Sequence, residues 1–117
     1  MENQVDKGNT TISPDVLLTT VRLTTLLVDG VSRLSPVPAG VNRLFRRGYG
    51  EGVRIEIKEG DVYADIYVIL KPDVNIRDVS RNIQRDVGRA ISEMIGMQIG
   101  RINVHIEDID YPENSEG

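Results

Sequence analysis

The 117-residue sequence contains no cysteine and no tryptophan, and it has a single histidine. The absence of cysteine excludes disulfides and thiol chemistry, and one histidine is too few for a histidine-rich metal site. A chain that folds without disulfides suits a reducing cytoplasm. We therefore expect no metal and no redox chemistry from these side chains.

The sequence also lacks an apolar run long enough to span a bilayer. Its longest apolar stretch, VLLTTVRLTTLLV at residues 16–28, is interrupted by Arg22 and four threonines, whereas a spanning helix needs roughly 20 apolar residues. The N-terminus, MENQVDKGNTTIS, is polar and acidic where a secretory signal would be basic and then apolar. Any contact with a membrane is therefore expected to be indirect.

Length and charge favour one acidic domain. The formal net charge is −4, which argues against a general nucleic-acid binder because such domains are usually basic. The composition predicts a single folded domain over residues 12–110. It also predicts a disordered N-terminal tail at 1–11 and a disordered acidic C-terminal tail at 111–117.

The first predicted element is a helix over residues 14–28. Ser13 suits the N-cap, Pro14 the first helical position, Asp15 the positive end of the helix dipole, and Gly30 marks the end. Its apolar arc is wider than a surface helix requires. The arc has two sides, formed by Val16, Leu23 and Leu27 and by Leu17, Val21 and Val28. The helix is therefore either deeply buried or shared with a partner.

Three later segments alternate between apolar and polar residues, which is typical of strands with one buried face. They are residues 53–58, 62–70 and 101–109, and a tight Glu59-Gly60-Asp61 turn joins the first two as a hairpin. Residues 31–52, with two prolines and four glycines, are predicted to form a long loop with a short helical turn near 41–45.

A second helix is predicted between the hairpin and the last strand. Asn75 suits its N-cap, with Asp78 in the capping-box position, and Gly96 closes it after about Ile95. Its predicted inward arc consists of Val79, Ile83, Val87, Ala90, Ile91 and Met94. The fold class is therefore α+β, with the order α-β-β-α-β and both helices on one face of a three-stranded sheet.

The opposite face of this sheet would be open and of mixed polarity. Three of its side chains are candidate binding residues: Tyr63, Tyr67 and His105. His105 beside Glu107 suggests an acid/base pair, but no nucleophile motif, metal cluster or glycine-rich phosphate loop accompanies it. We therefore predict that the protein is not an enzyme, has no cofactor and takes no small-molecule substrate.

The second helix carries an arginine at every fourth position, and we name this set the arginine band. It consists of Arg77, Arg81, Arg85 and Arg89. These residues either form a solvated face, bridged by Asp78, Asp86 and Glu93, or bind a partner. Guanidinium groups form bidentate hydrogen bonds with carboxylates, and the interspersed acidic residues of the helix would repel phosphates. If the band binds a partner, an acidic protein surface is therefore favoured over a nucleic acid.

The long loop holds a second candidate binding patch, the basic loop. It comprises Arg43, Phe45, Arg46, Arg47 and Tyr49. Flexible basic segments with aromatic residues can hold single-stranded nucleic acid or touch anionic lipid headgroups. The alternative is a loop without a ligand.

Several segments resemble the alkaline shock protein family, the small envelope-stress proteins of Gram-positive bacteria and their relatives. They are ISPDVLLTTVRLTTLLVDGV, GVRIEI, VYADIYVIL, VNIRDVSRNIQRDVGRAISEMIGM and INVHIEDI, spread over residues 12–110. The resemblance implies a non-enzymatic cytoplasmic protein that self-associates and sits at the inner face of the membrane through a membrane-embedded anchor protein. It also implies a role in cell-envelope homeostasis.

The main alternative is a small RNA-binding module. Two helices on one side of a small sheet resemble such modules in outline, and Tyr63 and Tyr67 could stack on bases. The predicted open face is electrically neutral, however, which disfavours RNA and makes a nucleic-acid partner unlikely on charge grounds.

Overall fold

The computed structural model describes residues 12–37, 49–50 and 52–112. In these ranges the chain forms two helices and five strands. They are α1 (Pro14–Leu26), β1 (Val31–Leu34), β2 (Tyr49–Gly50), β3 (Val53–Lys58), β4 (Asp61–Leu70), α2 (Ile76–Arg89) and β5 (Gln98–Ile109). A π-helical stretch, Ala90–Ile95, continues α2 without a break. Setting aside the two-residue β2, the order is α-β-β-β-α-β, and the fold is α+β.

β4 is the central strand of a single sheet. On one side it pairs in parallel with β5 over its whole length. On its other side it pairs antiparallel with β3 through residues 61–66 and with β1 through residues 68–70. β2 pairs antiparallel with β3. β1 to β4 therefore form an antiparallel array to which β5 is added in parallel.

The core lies between the sheet and the two helices. The inward side chains of β4 are almost fully buried, with Val62, Ile66, Val68 and Leu70 at 0% exposure and Ala64 at 1%. The four residues at 0% exposure belong to one cluster with buried residues of α1, such as Val21, and of α2, such as Ile83. Both helices therefore cover the same face, as predicted.

The prediction of three strands was wrong, because the first four residues of the predicted loop form β1. Val31 lies opposite Leu70, and Leu34 lies opposite Val68. A four-residue strand is too short to show alternation, and its stability comes from pairing with a distant part of the chain. The predicted helical turn near residues 41–45 lies outside the described residues, as do residues 1–11 and 113–117.

The predicted starts of both helices and the predicted end of the second helix are confirmed. The Ser13 hydroxyl accepts from the Asp15 amide at 3.1 Å, and the Asn75 side chain accepts from the Asp78 amide at 3.0 Å. Gly96, with φ 84°, adopts the left-handed conformation that closes the second helix. α1 ends at Leu26, two residues earlier than predicted.

Candidate functional site

One of the two apolar sides of α1 faces outward. Leu17 and Val21 are buried, whereas Val16, Leu23 and Leu27 are 49%, 54% and 85% exposed. At 100° per residue these three positions fall within about 40° of each other on the helix. Of the two alternatives that the wide apolar arc allowed, deep burial is excluded, and an uncovered apolar stripe remains.

Met94 also faces outward, which contradicts its predicted place in the core arc of the second helix. It is 76% exposed, although Ala90 and Ile91 in the same stretch are buried. The cause is the π-helical stretch, in which the Gly96 amide donates to the Ile91 carbonyl at 2.9 Å, five residues back. This wider turn breaks the 3.6-residue period and rotates Met94 away from the core.

Leu27 and Met94 meet across a shallow depression of about 320 Å³ between α1 and the end of the second helix. We name it the helical groove. Its lining residues are Thr24, Leu27, Asp86, Arg89, Ala90, Glu93 and Met94. An apolar floor with a charged rim is typical of a protein-binding surface.

All four side chains of the arginine band are exposed, and the structure divides them among three surroundings. Arg77 and Arg81 line a shallow depression at the start of α2. Arg85 is held by Asp86 at 2.9 Å and by the Asn82 side chain at 3.0 Å, and Arg89 lies on the rim of the helical groove. The four side chains therefore differ in their local contacts.

The predicted bridges from Asp78 to Arg81 and from Arg89 to Asp86 and Glu93 do not form among the described residues. Asp86 instead pairs with the adjacent Arg85, whose guanidinium donates to both the Asp86 carboxylate and the Asn82 side chain. The partner-binding role of the arginine band stays a prediction.

Of the basic loop, Arg43, Phe45, Arg46 and Arg47 lie outside the described residues. The backbone of Tyr49 pairs with Arg54 of β3 as part of β2. The predicted binding role of this loop is therefore not tested.

The face of the sheet that is turned away from the helices carries a polar cluster centred on Asp65. Its carboxylate accepts hydrogen bonds from Arg54 Nη2, from Asn103 Nδ2 at 3.1 Å and from His105 Nε2 at 2.9 Å. The Asp65 side chain is only 13% exposed and that of Arg54 19%. The cluster ties together β3, β4 and β5.

The hydrogen bonds of this cluster indicate a structural network. Burial opposes ionisation of Asp65, but the hydrogen bonds from His105, Asn103 and Arg54 outweigh it and lower its pKa below the ordinary 3.8. Burial, reinforced by the nearby negative charge of Asp65, raises the pKa of Tyr67. His105 is thereby engaged with Asp65, and Glu107 is not among its hydrogen-bond partners.

Both tyrosines of this face are packed against other parts of the chain. Tyr67 is 5% exposed, and its ring stacks on His105 with centroids 4.4 Å apart. The Tyr63 ring lies so close to Gly100 that a Cβ atom there would overlap it. The exposure predicted for Tyr67 is therefore wrong, and a binding role for Tyr63, Tyr67 and His105 stays a prediction.

Arg54, Asp65 and Asn103 were not among the residues predicted to form a site. The hairpin contained a signal for the first two, since Lys58 opposite Asp61 across a two-residue turn places Arg54 opposite Asp65. No comparable signal existed for Asn103, because parallel pairing between β4 and β5 spans a whole helix and its register is not set by a turn.

Two negative findings hold for the described residues, one on metal binding and one on membrane-spanning helices. In residues 12–37, 49–50 and 52–112, no cluster of three or more histidine, aspartate or glutamate side chains could hold a metal ion. Neither helix in these ranges combines the length and the apolar character that crossing a membrane requires.

Comparison with known proteins gives a family and several relatives. The profile of the alkaline shock protein 23 family, described as having a cell envelope-related function, matches residues 2–111. The uncharacterized protein Spy1535 of Streptococcus pyogenes serotype M6 is 36% identical over 103 residues, covering 87% of this chain and 79% of that protein. The uncharacterized protein YqhY of Bacillus subtilis is 23% identical over 111 residues, covering 93% and 82%.

Solved structures show a similar fold at low identity. The copper form of the MamM C-terminal domain gives a TM-score of 0.57 at 12% identity, covering 87% of this chain and 92% of that one. A MamM fragment spanning residues 215–293 in its own numbering gives 0.56 at 14% identity, covering 80% and 96%. At this identity the likeness concerns the fold alone.

Proposed function

The chain belongs to the alkaline shock protein 23 family, whose function is related to the cell envelope, and from this premise we propose that it is a non-enzymatic interaction module. In this proposal it self-associates and binds an integral membrane protein that holds it at the cytoplasmic face of the membrane. The resemblance seen in the sequence is confirmed as a family membership; the scaffold role and the anchor are the proposal.

The observation that carries the proposal is the uncovered apolar stripe of α1 beside Met94. A Leu side chain left 85% exposed and a Met left 76% exposed lie across one depression. Fully burying such side chains is worth about 1.5–3 kcal/mol each, so a partner that covers both gains a substantial part of its binding free energy there. A small number of side chains usually carries most of the binding free energy of an interface.

The surroundings of the groove suit a protein partner. Asp86, Arg89 and Glu93 bring both signs of charge to its rim, which favours complementary polar contacts around an apolar centre. On the opposite side of the sheet, the packed rings of Tyr63 and Tyr67 are poorly placed to stack on bases. The geometry therefore supports protein recognition over RNA recognition.

The test compares baits on detergent-solubilised membranes of the host. The variant Leu27→Glu with Met94→Glu places charge in the groove at two exposed positions, and Ile57→Glu is the matched control because Ile57 is 50% exposed at the end of β3. An integral membrane protein should be retained by the wild type and the control and be lost with the groove variant. Its purified form should then bind at least about tenfold more weakly to the groove variant.

A fourth bait, Arg81→Glu with Arg85→Glu, tests the arginine band separately. Loss of the same membrane protein would make the band part of the docking surface, whereas full retention would leave it a solvated face. If all baits retain one membrane protein equally, the groove is not the docking site. If the wild type retains RNA and no membrane protein, the proposed function is wrong.

A further inference from the structure

β5 has a strand neighbour on one edge only within the described part of the chain. It runs for 12 residues, Gln98–Ile109, and pairs with β4 alone. An unpaired edge presents N–H and C=O groups that can pair with another chain. The Ile102 carbonyl illustrates this, since it accepts from the Gln84 side chain of α2 at 3.0 Å. The Gln84 side chain thus donates to a backbone carbonyl that the N–H group of an added strand could also reach.

The inward side chains of β5 are incompletely covered. Ile102, Val104 and Ile106 pack against the same core as the inward residues of β4, yet they are only partly buried, whereas their neighbours Ile66 and Val68 are at 0% exposure. The difference follows from position, because an edge strand has no neighbour to cover its outer side. One more strand along this edge would extend the core over them.

Residues 101–106 of β5 pair with β4 without a register shift, and Glu107 is the extra residue of the bulge that follows them. This segment is complementary to itself when run antiparallel. With Val104 opposite Val104 of a second copy, Ile102 lies opposite Ile106 of that copy, so apolar side chains meet on the core side. At each end of the paired segment, Arg101 lies at the level of Glu107 of the copy, in the bulge that follows Ile106. Both of these side chains are exposed, and the two-fold axis generates each pair twice.

The sign of the charges selects this pairing over others. Opposite charges directly across an antiparallel pair stabilise it, and like charges destabilise it. Arg101 and Glu107 sit three residues to either side of Val104, so both meet an opposite charge in the same register that matches the apolar residues. One register therefore matches both the apolar residues and the charges.

We propose that β5 pairs antiparallel with β5 of a second copy, centred on Val104, to form a two-fold symmetric dimer with one continuous sheet. This inference rests on the self-association in the proposed function and supplies its surface. It requires no rearrangement of β4 or of the helices, because the edge is already extended. The Gln84 side chain is exposed and can yield the Ile102 carbonyl if the pairing needs it.

A charge reversal tests the register. Arg101→Glu and Glu107→Arg, made singly, each bring like charges together at two symmetric places and should weaken dimerisation by about tenfold. The double variant restores opposite charges and should return the dissociation constant to within about threefold of the wild-type value. Sedimentation equilibrium of the purified chain measures each constant, and Lys71→Glu, an exposed basic residue just after β4 and outside every candidate binding surface, is the matched control.

A single cysteine tests the same register by position. Because the chain has no cysteine, Val104→Cys under mild oxidation should give a disulfide-linked dimer, as two Cα atoms facing each other across strands lie within disulfide range. Ile57→Cys, at the end of β3, should remain unlinked. Thermal unfolding of each variant checks that it is folded.

The outcomes separate the inference from the proposed function. A wild-type chain that associates with a constant unaffected by either charge reversal, or that links through Ile57→Cys and not Val104→Cys, overturns the β5 pairing and leaves self-association standing. A wild-type chain that stays monomeric at several hundred micromolar removes self-association from the proposed function, and the β5 pairing with it. Neither result bears on the helical groove.

Discussion

Removal of the Asp65 carboxylate is expected to cost more stability than any other change on the sheet face that is turned away from the helices. Asp65→Ala removes the carboxylate that accepts from Arg54, Asn103 and His105. It also removes the negative charge of that carboxylate from beside the Arg54 guanidinium, whose side chain is only 19% exposed. Breaking a buried ion pair on one side typically costs about 3–5 kcal/mol. Because His105 and Asn103 can turn towards water, we expect about 2–3 kcal/mol here.

That loss corresponds to a fall in melting temperature of about 10 °C for a domain of this size. Thermal unfolding followed by circular dichroism at pH 7 measures it, with Glu93→Ala as the control, since Glu93 is exposed and its removal should change stability by less than about 0.5 kcal/mol. A loss in Asp65→Ala no larger than in the control would show that the cluster is not a stabilising network.

The same carboxylate predicts a pH dependence. Because the pKa of Asp65 is lower in the folded chain than the ordinary 3.8, the unfolded chain binds its proton first as the pH falls. Its contribution to the free energy of unfolding is therefore complete above about pH 5 and declines as the pH drops below 3.8 through the folded pKa. The stability gap between wild type and Asp65→Asn should narrow over that range, and a gap that is constant down to pH 3 would contradict this.

Three glycines give further predictions. Gly30→Ala should lower the free energy of unfolding in urea by about 2–4 kcal/mol, because Gly30 has φ 98° and a Cβ atom would lie 2.7 Å from Val79 Cγ2. Gly96 has φ 84° but no atom within 4 Å of an added Cβ. Gly96→Ala therefore measures the cost of the backbone conformation alone and should lose only about 1 kcal/mol. Gly100→Ala should displace the Tyr63 ring, seen as a change in its NMR ring-proton shifts and a loss of about 1–2 kcal/mol. Unchanged Tyr63 shifts would contradict that packing.

The sequence predicted the elements whose determinants are local. The β3–β4 hairpin has clear alternation on both sides of a two-residue turn, and the helix starts have side chains that cap them, so the boundaries could be placed closely. β1 has no such local determinant. Its four residues become a strand because Val31 meets Leu70, a pairing far apart in the chain that no pattern within the segment indicates.

The sequence predicted the α1 side of the helical groove but not the contribution of Met94. The wide apolar arc of α1 indicated a surface that a single core could not absorb. Met94 was assigned to the core because a period of 3.6 residues was assumed to the end of the second helix, and the π-helical stretch breaks that period after Arg89. The residue that completes the groove was therefore the residue that the periodic pattern misplaced.

The groove and the β5 edge can be occupied together, because they lie on opposite sides of α2. The groove lies between α1 and the end of the second helix, whereas the edge belongs to β5, against which α2 packs on its other flank. A two-fold axis perpendicular to the sheet keeps both helical layers on one face, so a β5-paired dimer presents two grooves in the same direction.

A dimer with two grooves on one face would bind two membrane-embedded partner molecules, which lie in the same membrane plane. Once the first groove is occupied, binding of the second groove is intramolecular, and the dimer therefore binds with avidity. Avidity of this kind commonly strengthens binding by roughly a hundredfold or more. If both proposals hold, Arg101→Glu should weaken binding to membranes that carry the anchor even though its groove is intact, and Arg101→Glu with Glu107→Arg should restore it. Equal membrane binding by the single and double variants would show that the two surfaces act independently.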